Sequence, residues 1–179
     1  MESKIFTPRL IFISSAVLFA AISRLLPHIP NFTPVAAMAL FGGAHLKNKK
    51  LAFIIPLVAM FTSDLIMELI SSNGFHNTFI YVYISFIITS YIGILCSRNI
   101  KPINIVTASF ASSLLFFIIT NFGVWASTGM LNGINGLSTT YVLGIPFFGQ
   151  TLTGDLFYNI ILFGSFYLAQ QKFPVLAKA

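Results

Sequence analysis

The sequence predicts an all-α membrane protein: a bundle of six transmembrane helices with both termini on the cytoplasmic side. Three observations lead there. Of the 179 residues, 56% are hydrophobic and only 8% are charged, with a mean hydropathy of +0.89. A soluble domain carries about 25% charged residues, so lipid must be the main solvent. The apolar residues fall into six runs, and the basic residues collect at alternate breaks between them. Helices are the default because an open sheet edge leaves backbone groups unpaired in hydrocarbon.

The runs are 9–26, 32–46, 51–70, 78–96, 103–125 and 150–170, within one transmembrane domain covering 1–179. The first ends in Arg24-Leu-Leu-Pro27 with no small-x-small cleavage site, so it reads as a retained helix and not a signal peptide. The second reaches only about 22 Å as a helix. A re-entrant segment there would put Lys47, Lys49 and Lys50 outside, so a short complete crossing is preferred. The stretch 126–149, rich in Gly, Asn, Ser and Thr and free of charge, reads as an outer loop over the bundle, with 141–148 as a short interfacial helix.

With the N-terminus inside, the inner segments hold Lys4, Arg9, Lys47, Lys49, Lys50, Arg98, Lys101, Lys172 and Lys178, nine of the ten basic residues. Only Arg24 lies outside. The positive-inside rule then sets N-in/C-in and an even number of crossings. The formal charge of +6 is spent on topology, so nucleic acid is not expected as a partner. His45, beside the lysines, reads as solvated.

The informative residues are polar ones at membrane depth. Three of the four acidic residues, Asp64, Glu68 and Asp155, fall in the outer thirds of their runs. Arg24, His28 and His76 lie on the same side. Asp64 and Glu68 share a helix face, as do Asn121 and Trp125, and Asn77, Tyr81 and Ser85; Thr151, Asp155, Tyr158 and Asn159 form one stripe. A charge within the bilayer costs about 2.5–3.5 kcal/mol on insertion scales and faces a cavity or a partner. The expected binding set is Arg24, His28, Asn31, Asp64, His76, Tyr81, Asn121 and Asp155 around one outward cavity capped by 126–149. One Arg against three carboxylates gives 1 − 3 = −2, which favours a neutral or cationic ligand. The alternative for Arg24 is structural pairing with Asp64 or Glu68.

Other chemistry is not signalled. Cys96 is the single cysteine, and no Cys/His metal spacing occurs, so neither a metal nor another cofactor is expected. There is no GxxxxGK[ST], GxSxG or HExxH motif, so the chain carries no ATPase of its own and does not read as an enzyme. Ala16-x-x-x-Ala20 and Ala39-x-x-x-Gly43 are small-residue pairs of the kind that let helices approach closely, either internally or against another subunit.

Three segments together carry a family resemblance. They are Arg24-Leu-Leu-Pro27-His28-Ile-Pro30-Asn31-Phe32-Thr33-Pro34-Val35 with Ala39-Leu-Phe41-Gly42-Gly43-Ala44; Thr62-Ser63-Asp64-Leu65 with His76 and Tyr81; and Gly136-Leu-Ser-Thr-Thr-Tyr141 with Ile145-Pro146-Phe147-Phe148, Thr151-Leu152 and Gly154-Asp155-Leu156. The chain resembles small bacterial inner-membrane proteins that look related to the substrate-binding S-components of energy-coupling factor (ECF) vitamin transporters. The resemblance implies a six-helix fold that binds a micronutrient from outside. It also implies docking, through small residues such as Ala16 and Ala20, onto a transmembrane coupling subunit driven by two ATPases. No vitamin-specific signature is matched. Two other functions compete: a membrane enzyme using Asp64, Glu68, His76 and Asp155 as acid–base groups, and a ligand-free assembly partner.

Overall fold

The computed structural model describes residues 7–27, 29–72, 74–128 and 130–177. These residues are helical, with no strand among them. The order is α1 (Pro8–Ser23), α2 (Val35–His45), α3 (Lys49–Ser71), α4 (Phe79–Cys96), α5 (Pro102–Ser127), α6 (Gly133–Lys172) and a 3-10 turn, Pro174–Leu176. Four helices, α3 to α6, are long and apolar enough to cross a membrane; α1 and α2 are shorter apolar helices. The chain is a multi-pass membrane protein.

Local chemistry starts and stops these elements. Thr7 caps α1 by accepting from the Leu10 N–H at 3.2 Å, with Pro8 in the first turn. Asn48 caps α3 through the Lys50 N–H at 3.0 Å. Pro102 opens α5. Ser72, at φ +53°, ends α3 in the left-handed region. The Glu68 carboxylate then accepts from the backbone N–H groups of Gly74 (2.9 Å) and Phe75 (3.1 Å), tying the α3–α4 turn.

The organising element is α2. All its residues, 35–45, are buried, and it touches each of the other five helices. As a helix it is about 17 Å long, against a hydrocarbon core of about 30 Å, and it is shorter than the 32–46 run expected. Such an element is tolerated at membrane depth because protein, not lipid, surrounds it. Its closest neighbour is α4. A Cβ on Gly43 would collide with the Ser90 carbonyl and sit 3.0 Å from the Gly93 Cα, so the two backbones meet with nothing between them. The N-terminal end of α1 lies beside the C-terminal end of α2: Arg9 donates to the carbonyls of His45 (3.3 Å) and Leu176 (3.4 Å).

Two expectations are corrected. The stretch 126–149 is not a loop. α5 runs to Ser127 and α6 begins at Gly133, so most of it is the first part of a 40-residue helix, about 60 Å long. Pro146 sits inside α6 and cannot donate its ladder hydrogen bond. His45 is not solvated. Its ring packs among Phe41, Phe163 and Phe166 at centroid distances of 4.7, 5.0 and 4.6 Å. Of the small-residue pair on α1, Ala20 is buried and Ala16 half-buried against the core.

Candidate functional site: a cavity between α4, α5 and α6

Arg24, just past α1, meets α3 and α4. Its guanidinium pairs with Asp64 Oδ1 at 2.7 Å and also donates to Ser63 Oγ and to Met60 Sδ at 3.1 Å. Met60, Ser63 and Asp64 present themselves together because positions i, i+3 and i+4 share a helix face. The second Asp64 oxygen accepts from Tyr83 Oη at 2.8 Å. Both charges are therefore matched inside the bundle, as membrane burial demands.

Asp155 is enclosed elsewhere. Its Oδ2 accepts from Ser113 Oγ at 2.7 Å, and one turn along Asn159 Nδ2 donates to Ser109 Oγ at 3.0 Å. The two rungs are i, i+4 pairs on antiparallel α5 and α6. The carboxylate also lies against the backbone amides of Ala36 and Ala37, in the first turn of α2. Pro34, at the cap position, makes no side-chain cap bond, so Asp155 supplies the anionic cap from another helix. Gly154 permits this: a Cβ there would lie 3.0 Å from Phe32 Cα and Thr33 N, where the chain enters α2.

At the end of the bundle away from Arg9, a cavity of about 390 Å³ opens between the start of α4, the second half of α5 and the first half of α6. That volume suits a small organic molecule. Its polar lining is Asn31, His76, Thr78, Thr120, Asn121, Thr140 and Thr151; its apolar lining includes Phe116, Phe117, Phe147 and Phe148. Among the described residues no Asp, Glu, Lys or Arg lines it. Phe117 stands between Tyr141 (5.7 Å) and Phe148 (5.3 Å). Tyr141 Oη donates to the Ile118 carbonyl at 2.7 Å, and Trp125 Nε1 to the Gly133 carbonyl at 3.1 Å. These contacts hold the first half of α6 against α5 as the cavity wall.

A family model described as "Family of unknown function (DUF6580)" matches residues 4–176. The chain belongs to DUF6580. No curated protein and no solved structure matches it.

In this DUF6580 chain the residues expected to form one site divide. Asn31, His76 and Asn121 line the cavity. Arg24, Asp64 and Asp155 do not; each is closed off by its own partners. Tyr81 packs its ring on Gly123 and against Phe122 at 6.1 Å, away from the lining. His28 lies outside the described residues. The acid–base set considered for an enzyme is likewise divided, since Asp64, Glu68 and Asp155 are each tied to different groups.

The lining residues absent from the expected set carry a periodic signal. Phe116, Phe117, Thr120, Asn121 and Val124 form one face of α5. Thr140, Gly144, Phe147, Phe148 and Thr151 form one face of α6. The second face runs from the stretch expected as a loop, through the short helix expected at 141–148, into the last run, so its spacing crosses those expected boundaries.

Proposed function

We propose that this DUF6580 chain is a substrate-binding membrane subunit that captures a small micronutrient at the outer face. It works with a separate ATP-driven energy-coupling module, in the manner of an ECF S-component. In this reading the chain crosses a bacterial inner membrane six times, with both termini in the cytoplasm. The observation that carries it is the 390 Å³ cavity, which combines four phenylalanines with amide and hydroxyl groups and sits at the end of the bundle opposite Arg9 and the C-terminal turn. The concentration of lysine and arginine at that opposite end supports an outward-facing cavity. The absence of a nucleotide-binding motif in the sequence supports an external motor.

Native mass spectrometry of the protein, purified from its own membranes in mild detergent, tests this. The expected result is a co-purified small molecule that disappears in Asn121→Leu, together with recovery of a coupling subunit and ATPases. A ligand without such partners would keep the binding role and remove the motor. Ligand-free protein throughout would favour the assembly role instead.

A further inference from the structure

Taking the capture reading as its basis, we infer that the cavity selects an uncharged, flat molecule that both donates and accepts hydrogen bonds, such as a primary amide on an aromatic ring. Charge is excluded by what surrounds the space. A cation or anion entering it would lose its hydration and, among the described residues, find no Asp, Glu, Lys or Arg in the lining to pair with. The carboxylates that the sequence offered to a cation are already engaged: Asp64 by Arg24 and Tyr83, Asp155 by Ser113 and the first turn of α2. Flatness follows from the apolar lining. Of that lining, Phe117 and Phe148 meet at 5.3 Å and are backed by Tyr141 (5.7 Å) and Phe110 (6.3 Å) outside the cavity, a continuous series of edge-on and tilted ring contacts. A further ring in the cavity extends that series with the offset geometry aromatic pairs prefer.

Donor preference follows from counting hydrogens. The hydroxyls of Thr120, Thr140 and Thr151 already donate to the carbonyls of Phe116 (2.7 Å), Gly136 (2.9 Å) and Phe147 (3.0 Å) on their own helices. What they offer the cavity is lone pairs. Asn121 donates through Nδ2 to the Phe117 carbonyl at 2.8 Å, and its Oδ1 lies on the side facing Gly144. The second Asn121 N–H and the Asn31, His76 and Thr78 side chains can donate as well, so the walls match a ligand that both donates and accepts, and one without N–H or O–H groups would leave the threonine lone pairs unpaired.

Four probes of one shape test this on the full-length protein in nanodiscs by ligand-observed NMR: benzamide, N,N-dimethylbenzamide, benzoate and benzamidinium. Benzamide is expected to bind saturably, with the other three at least about tenfold weaker. Asn121→Leu and Thr120→Val should each weaken benzamide; the isosteric Thr120→Val guards against misfolding of the first variant. If benzamidinium or benzoate bound as tightly as benzamide, with the same dependence on Thr120, the neutral class would be overturned and the capture reading would stand. Equal binding of N,N-dimethylbenzamide would overturn donor selection alone. If no probe bound the native protein, the inference would fall, and the capture reading would stand or fall on the co-purified ligand alone.

Discussion

Asp155 and Arg9 close opposite ends of the same buried helix. The carboxylate lies against the backbone amides of Ala36 and Ala37 at the N-terminus of α2, and the guanidinium donates to the His45 carbonyl at its C-terminus. Each charge has the sign that complements the helix dipole at its end. A helix enclosed by protein has no water to satisfy its terminal groups, so neighbouring helices must do so.

Asp155 is therefore expected to govern stability more than affinity. Asp155→Ala should cost about 2 kcal/mol, from a lost cap and an orphaned Ser113 hydroxyl, and Asp155→Asn less. Thermal unfolding in detergent measures this. Benzamide binding by Asp155→Asn should stay within about twofold of native. A tenfold loss of affinity with unchanged melting would place Asp155 at the ligand instead.

Removing one member of the Arg24–Asp64 pair strands the other. Asp64→Ala should destabilise by about 3–5 kcal/mol, and Tyr83→Phe by about 1 kcal/mol. The double change Arg24→Met with Asp64→Leu should recover much of the loss, because no buried charge is left unmatched. Melting temperature and monodispersity on gel filtration report all three. A double variant as unstable as Asp64→Ala would show that packing, not charge, sets the cost.

Asn31 separates backbone from side chain. It sits at φ +62°, where asparagine and glycine are tolerated and branched residues are strained. Asn31→Gly should fold normally and bind benzamide more weakly. Asn31→Leu should lose about 1–2 kcal/mol of stability as well. Unchanged benzamide binding in Asn31→Gly would remove its amide from the site.

The α2–α4 contact has no room for a side chain. Gly93→Leu would drive atoms into the Leu40 carbonyl and Gly43, and should leave little monodisperse protein, since overpacking costs about 1–3 kcal/mol or more. Normal yield and melting would mean that α2 can shift away from α4.

Sidedness can be read by labelling single cysteines in a Cys96→Ser background on intact cells. Asn132→Cys should react with an impermeant maleimide and Lys49→Cys should not. The opposite pattern would turn the cavity toward the cytoplasm and end the uptake reading.

Composition and run spacing were enough to predict a helical membrane bundle, because hydrocarbon permits few other ways of satisfying a backbone. The depth and cost of Arg24, Asp64 and Asp155 were legible for the same reason: each needed a partner. Which partner was not legible. Asp64 meets Arg24 and Tyr83 through contacts across three elements, and Asp155 meets α2 only because Gly154 lets residues 32 and 33 pass close by. The cavity was half visible, since Asn31, His76 and Asn121 were marked by polarity. Its α6 wall was missed because glycine, threonine and asparagine in 133–149 resemble a loop until helix packing against Phe117 and Trp125 organises them. The sequence by itself thus determined the solvent, the helices and the number of charges needing shelter. Only the tertiary structure decided that Arg24 and Asp64 neutralise each other, that Asp155 is held by Ser113 and the start of α2, and that none of the three lines the cavity. Pairing is a matter of distances between helices, and chain order does not encode those locally.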